Sequence, residues 1–121
     1  MASLNESAVT RVSTTSSVDM KTAATTTLYT VPVGKTLFVS HVVVRNPSAT
    51  LAGGTSYAFT NFRSGVDLSS MTTASTDYMV IRGADVTKYT CLVAASTFGI
   101  IVTTGSTGAA TATIDVFGYL V

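Results

Sequence analysis

Apolar and polar residues alternate along most of this chain, in short runs separated by turn-forming residues. A period of two marks strands that bury one face of a pleated sheet. From Thr26 onward such runs arrive at regular intervals. Thr26–Val31 carries Leu28, Tyr29 and Val31. Pro32-Val33-Gly34-Lys35 then supplies turn chemistry, with proline holding φ and glycine free to take a positive one. Thr36–Arg45 is the most apolar run. Strict alternation puts Phe38, Val42 and Val44 on one face and Leu37, Val39 and Val43 on the other. A strand apolar on both faces lies centrally in a sandwich or under a subunit contact. Asn46-Pro47 ends it.

After a loop containing Gly53-Gly54, Tyr57–Phe62 predicts a strand with aromatic residues on both faces. Arg63–Ser75 reads as a long polar loop. Asp77–Arg82 alternates Tyr78 and Val80 against Met79 and Ile81, and Lys88–Ala94 puts Tyr89, Cys91 and Val93 on one side. Phe98–Thr104 and Ala110–Val121 are separated by Gly105-Ser106-Thr107-Gly108, short enough for a hairpin. The last strand carries Ile114, Val116 and Leu120 on one face and Thr113, Asp115, Phe117 and Tyr119 on the other. Ala8–Ser13 alternates weakly, as a short eighth strand would. Residues 1–25 otherwise read as a polar N-terminal arm, with residues 26–121 as the domain. No segment keeps a 3.6-residue period over ten residues. The expected fold is all-β: an antiparallel β-sandwich of about eight strands, jelly-roll-like.

Composition sharpens this picture. A length of 121 residues suits one domain. Only 11 % of residues are charged, against about 25 % in an ordinary soluble domain. Hydroxyls fill the gap, with 23 Thr and 14 Ser. Threonine favours pleated strands. A surface poor in Lys, Glu and Arg loses little side-chain entropy when packed against a neighbour. The composition therefore points to a sheet protein that works in an assembly. Net charge is +1 and the seven basic residues are dispersed, so no nucleic-acid partner is expected. No apolar run approaches the ~18–20 residues of a membrane helix, and no membrane partner is expected. The single cysteine, Cys91, excludes an internal disulfide and reads as a small buried hydrophobe. Met1–Glu6 shows no basic region followed by an apolar one, so synthesis in a cytoplasm without a signal peptide is expected.

A search for catalytic chemistry finds no centre. General acid–base work needs matched histidines or carboxylates. The chain has one His, one Glu and five Asp. His41 sits within the most apolar strand and reads as a packed histidine. Glu6 falls in the arm, and Asp19, Asp67, Asp77, Asp85 and Asp115 form no spaced pair. One Cys and one His do not make a zinc site, and no calcium-loop spacing occurs. Gly53-Gly54 lacks the Lys-Ser/Thr of a phosphate loop. No enzyme activity, cofactor or metal is expected.

The segment Thr27-Leu28-Tyr29-Thr30-Val31-Pro32-Val33-Gly34-Lys35-Thr36, running through the apolar strand into Arg45-Asn46-Pro47, resembles one found in small tailed-bacteriophage structural proteins. There, Leu-Tyr-Thr-Val-Pro-Ala-Gly-Lys-Thr opens a β-sandwich of head- or tail-associated components. This chain has Val33 where alanine is usual. The closing Ile114-Asp115-Val116-Phe117-Gly118-Tyr119-Leu120-Val121 resembles the last strand of trimeric jelly rolls, where a Phe-Gly pair lies near the three-fold axis. The resemblance implies a virion protein, most simply a head decoration or cement protein. It would assemble as a homotrimer and bridge subunits of the major capsid protein or other virion proteins. Its expected subunit contacts are Leu37, Val39 and His41 on the two-sided strand and Phe117, Tyr119 and Val121 on the last. A second class of function is a receptor- or glycan-binding module of a tail or fibre, with Tyr57, Asn61, Arg63 and Asp67 along one loop edge.

Overall fold

The computed structural model describes residues 9–72, 78–83 and 90–121, with the backbone alone for 90 and 91. Every element among them is a strand: β1 (Thr10–Asp19), β2 (Thr25–Thr30), β3 (Leu37–Arg45), β4 (Ser56–Phe59), β5 (Arg63–Val66), β6 (Tyr78–Arg82), β7 (Thr90–Leu92), β8 (Thr97–Thr104) and β9 (Thr111–Leu120). One sheet runs β1-β9-β3-β6, with β7 also paired to β3, and the other runs β2-β8-β4-β5. All pairings are antiparallel. The pairs are nested: β4 with β5, β3 with β6, β2 with β8, β1 with β9. A hairpin of long arms rolled over itself gives this order, which is the jelly-roll connectivity of a β-sandwich. β6 and β7 share one edge of β3, β6 beside His41–Arg45 and β7 beside Leu37–Val39.

Each sheet turns one apolar face inward. Leu37, Val39, Val42, Val44, Ile114 and Val116 meet Leu28, Tyr57, Phe59, Phe98, Ile100 and Val102 from the other sheet. Phe98 stacks on Phe59 at 6.2 Å between ring centroids and meets Phe62 edge-on at 6.0 Å. The turn before β3 forms as its residues dictate: the Lys35 amide donates to the Pro32 carbonyl at 3.2 Å, and Gly34 has φ of 77°.

Four expectations are corrected. The polar arm is in large part β1: the strand suggested by Ala8–Ser13 runs on to Asp19, laddered along β9, and Val18 and Met20 are buried in the core. Hydroxyls hide that strand in the sequence, because its stability comes from backbone pairing more than from apolar surface. The presumed loop after Phe62 contains β5, of which only Val66 is buried. Gly105–Gly108 is not a hairpin turn, since β8 and β9 belong to different sheets. Finally, β3 does not alternate strictly. A bulge between Val39 and His41 lets Leu37, Val39, Val42 and Val44 all face the core.

A candidate interaction face

That bulge decides what β3 shows to the outside. With Leu37 at 0 % and Val39 at 1 % exposure, neither is available to another subunit, contrary to the expected contacts. The outward residues are Phe38, His41, Val43 and Arg45, all half-buried. Strand register sets their neighbours. Arg11, Phe117, His41 and Arg82 form one row across β1, β9, β3 and β6. Thr14, Asp115, Val43 and Val80 form the next, and Thr113, Arg45 and Tyr78 a third. Tyr119 and Phe38 lie beyond the first row.

Two of these contacts are ring on ring. His41 stacks on Phe117 with centroids 4.6 Å apart and planes 8° from parallel, and Phe38 stacks on Tyr119 at 5.7 Å. Ser40 Oγ lies 3.0 Å from His41 Nδ1. Val9, Ser40, His41, Arg82 and Phe117 line a shallow depression here. Towards β6 the apolar surface opens to solvent, with Val80 at 42 % and Tyr78 at 68 % exposure. The outer face of the other sheet is built differently, from Thr25, Thr27, Ala58, Ile101 and Thr103. Its residues are small or hydroxylated apart from Ile101. The molecule thus has one aromatic face and one threonine face.

A carboxylate is set into the aromatic one. Asp115 is buried, and accepts hydrogen bonds from Arg45 Nε at 2.7 Å, Arg45 Nη2 at 3.4 Å and Thr14 Oγ1 at 2.8 Å. Burial pushes its pKa up. The hydrogen bonds from Arg45 and Thr14, with the charges of Arg45 and Arg11, outweigh burial and hold it below the ordinary carboxylate value. The same hydrogen bond, with the charge of Asp115, raises the pKa of Arg45. The pair neutralises a charge within the face and leaves its other cations, Arg11 and Arg82, towards the first row. Nothing in the sequence marks this pair, whose members stand 70 residues apart. Phe38, Val43, Tyr78 and Val80 were legible as strand residues but not as neighbours.

Of the expected contact residues, His41 and Phe117 come together on this face, while Tyr119 lies beside them against Phe38 but is buried, as Leu37 and Val39 are. Val121 is exposed beyond the end of β9, its backbone paired with Thr36 in both directions at 2.9 and 3.0 Å. The expected glycan edge does not assemble. Tyr57 is fully buried and donates its hydroxyl to the Met20 carbonyl at 2.7 Å, so it offers no ring to a sugar. Burial raises its pKa. Asn61 and Arg63 do share a groove, with Ala58, Phe59, Phe62, Ser64 and Ile101. Asp67 lies past the other end of β5, where it accepts from the Ser69 amide and hydroxyl at 2.9 and 2.6 Å. Those hydrogen bonds lower its pKa. Glu6, Asp77 and Asp85, and the side chain of Cys91, lie outside the described residues. Among the described residues no three His, Cys, Asp or Glu side chains converge on a metal-sized site. No family model, curated protein or solved structure matches this chain.

Proposed function

We propose that this chain is a non-enzymatic structural component of a bacteriophage particle, a head decoration or cement protein. It works by packing the outer face of its five-stranded sheet against copies of itself and against shell proteins. The observation that carries this reading is the aromatic face itself. The core closes without Phe38, His41, Val43, Phe117, Tyr78 and Val80, yet they form one continuous outward surface. Apolar surface that the core does not use is the usual mark of an interaction site. The virion assignment is supported by the resemblance of residues 27–36, which run from β2 into the turn ahead of β3.

A trimer is the expected assembly, with His41 and Phe117 at its contacts. Light scattering behind size-exclusion chromatography at micromolar concentration should return three times the 12.5 kDa chain mass, and the protein should co-sediment with capsids. A wild-type protein that stays monomeric and ignores capsids would overturn the proposal.

A further inference from the structure

A jelly roll leaves strand edges open, and open edges invite pairing with other chains. Three of the edges here carry the irregularities that discourage it. β1 has register shifts between Arg11 and Ser13 and between Thr15 and Val18, with Ser17 at a φ of 57°. β2 shifts between Thr27 and Tyr29. β5 shifts against β4, and Gly65 within it has a φ of 64°. Each such irregularity twists or kinks the edge away from a flat partner. β6 has none. Its five residues pair one for one with β3, from His41 opposite Arg82 to Arg45 opposite Tyr78. Its sequence, Tyr78-Met79-Val80-Ile81-Arg82, contains no Pro, Gly, Lys or acid. Among the described residues its strand neighbour is β3 alone. The Arg82 carbonyl accepts from Arg63 Nη1 at 3.2 Å, a donor from the other sheet. Strand alternation directs the backbone groups of Tyr78 and Val80 the same way as that carbonyl, off the edge.

We infer that β6 pairs antiparallel with β6 of a second copy, across a two-fold axis at Val80, joining the two five-stranded sheets edge to edge. The side chains fit this register. Tyr78 comes opposite Arg82 of the second copy, a guanidinium beside a phenol ring. Val80 meets its own copy, and Met79 meets Ile81 on the other face. The two Arg82 side chains stand at opposite ends of the pair, so no like charges face each other. Size sets the role. Five residues span about 17 Å, and a strand pair of that length buries a few hundred Å², far below the ~1,200 Å² of a stable interface. The two-fold of this pair is not the three-fold of the proposed trimer. The pairing is therefore a clasp between copies of adjacent trimers, where effective concentration reaches the millimolar range that concentrated protein reproduces.

Cross-linking tests it in full-length protein carrying Cys91→Ala, so that the only thiol is the introduced one. Val80→Cys places two thiols opposite each other, at the ~5.5 Å Cα separation of a hydrogen-bonded antiparallel pair, which a disulfide spans. Val33→Cys, on a turn residue 91 % exposed, measures random collision. Under mild oxidation at high protein concentration, Val80→Cys should form dimers roughly tenfold faster than Val33→Cys. Equal rates would overturn the inference. If Val80→Cys fails to fold, a mixture of Tyr78→Cys and Arg82→Cys chains carries the test. Mixed disulfides should outrun same-variant ones, and a preference for same-variant links would refute the register. The inference rests on the reading of this chain as an assembling component, and the two fail separately. A trimer without the Val80 link removes the clasp alone, whereas a Val80 link in protein that neither trimerises nor binds capsids leaves the clasp and removes the assembly.

Discussion

Asp115 points outward from β9 and is nevertheless buried, because Arg45 and Thr14 lie over it. A carboxylate in that position stabilises the fold only while it is charged. Its folded pKa is depressed below 3.8, so its contribution is fully present above the unfolded value and is lost as pH falls through the folded one. Asp115→Asn should lower the thermal midpoint by a few degrees at pH 7. The gap between variant and wild type should narrow below about pH 4, where the wild-type carboxyl also takes up a proton. Calorimetry of both proteins between pH 3 and pH 7 checks this, and a gap that is constant with pH would contradict it. Asp19 and Asp67 are depressed as well, Asp19 by Thr22 and the Lys21 and Thr22 amides, Asp67 by Ser69. Both are exposed, Asp19 at the end of β1 and Asp67 just after β5, and their titration should matter far less.

Among the elements, β3 and β9 form the spine of the five-stranded sheet. The apolar content of both was plain in the sequence, and the faces of β9 follow strict alternation. The faces of β3 do not, because the bulge after Val39 is a property of the pair rather than of either strand. Gly118 sits where that irregularity begins. A side-chain carbon there would fall 2.1 Å from the Phe38 carbonyl oxygen and 3.2 Å from Val39 Cα. Backbone atoms cannot step aside as a flexible side chain would, so Gly118→Ala should cost about 1–3 kcal/mol by overpacking. Urea denaturation reads this directly, and an unchanged midpoint would show that β3 can retreat. β5, and β1 beyond the Ala8–Ser13 alternation, escaped the sequence for the opposite reason. They contribute few buried side chains, and their backbone bonds to β9 and β4 leave no trace in hydrophobic pattern. The outward aromatic face was legible only as separate residues, since rows across a sheet depend on register.

For the molecule as a whole, the accessible area is 6237 Å², close to the ~6,200 Å² of a compact monomer of this mass. The single chain thus has the area of a compact folded monomer, and its few charges leave little of that area ionic. Folding and assembly should separate experimentally. Phe117→Lys places a charge at the centre of the first row, where burial in a contact would be costly. The variant should run as a monomer in light scattering while keeping the strand signal of the wild type in circular dichroism. Loss of both together would mean that Phe117 serves the fold instead. Assembly through an apolar face should also survive high salt, because screening weakens exposed charge pairs and not apolar burial.

The Met20 carbonyl accepts from the Tyr57 hydroxyl at 2.7 Å and from the Ser106 amide at 3.0 Å. One oxygen thus ties the corner between β1 and β2, a strand of the opposite sheet and the crossover into β9. Opening the Met20 corner takes a partner from both of the other stretches at once. Deuterium should therefore reach the Ser106 amide slowly for a residue between strands, as it should the Thr107 amide, which donates to the Ala52 carbonyl at 2.9 Å, so the crossover into β9 should be protected like an element of the sheets.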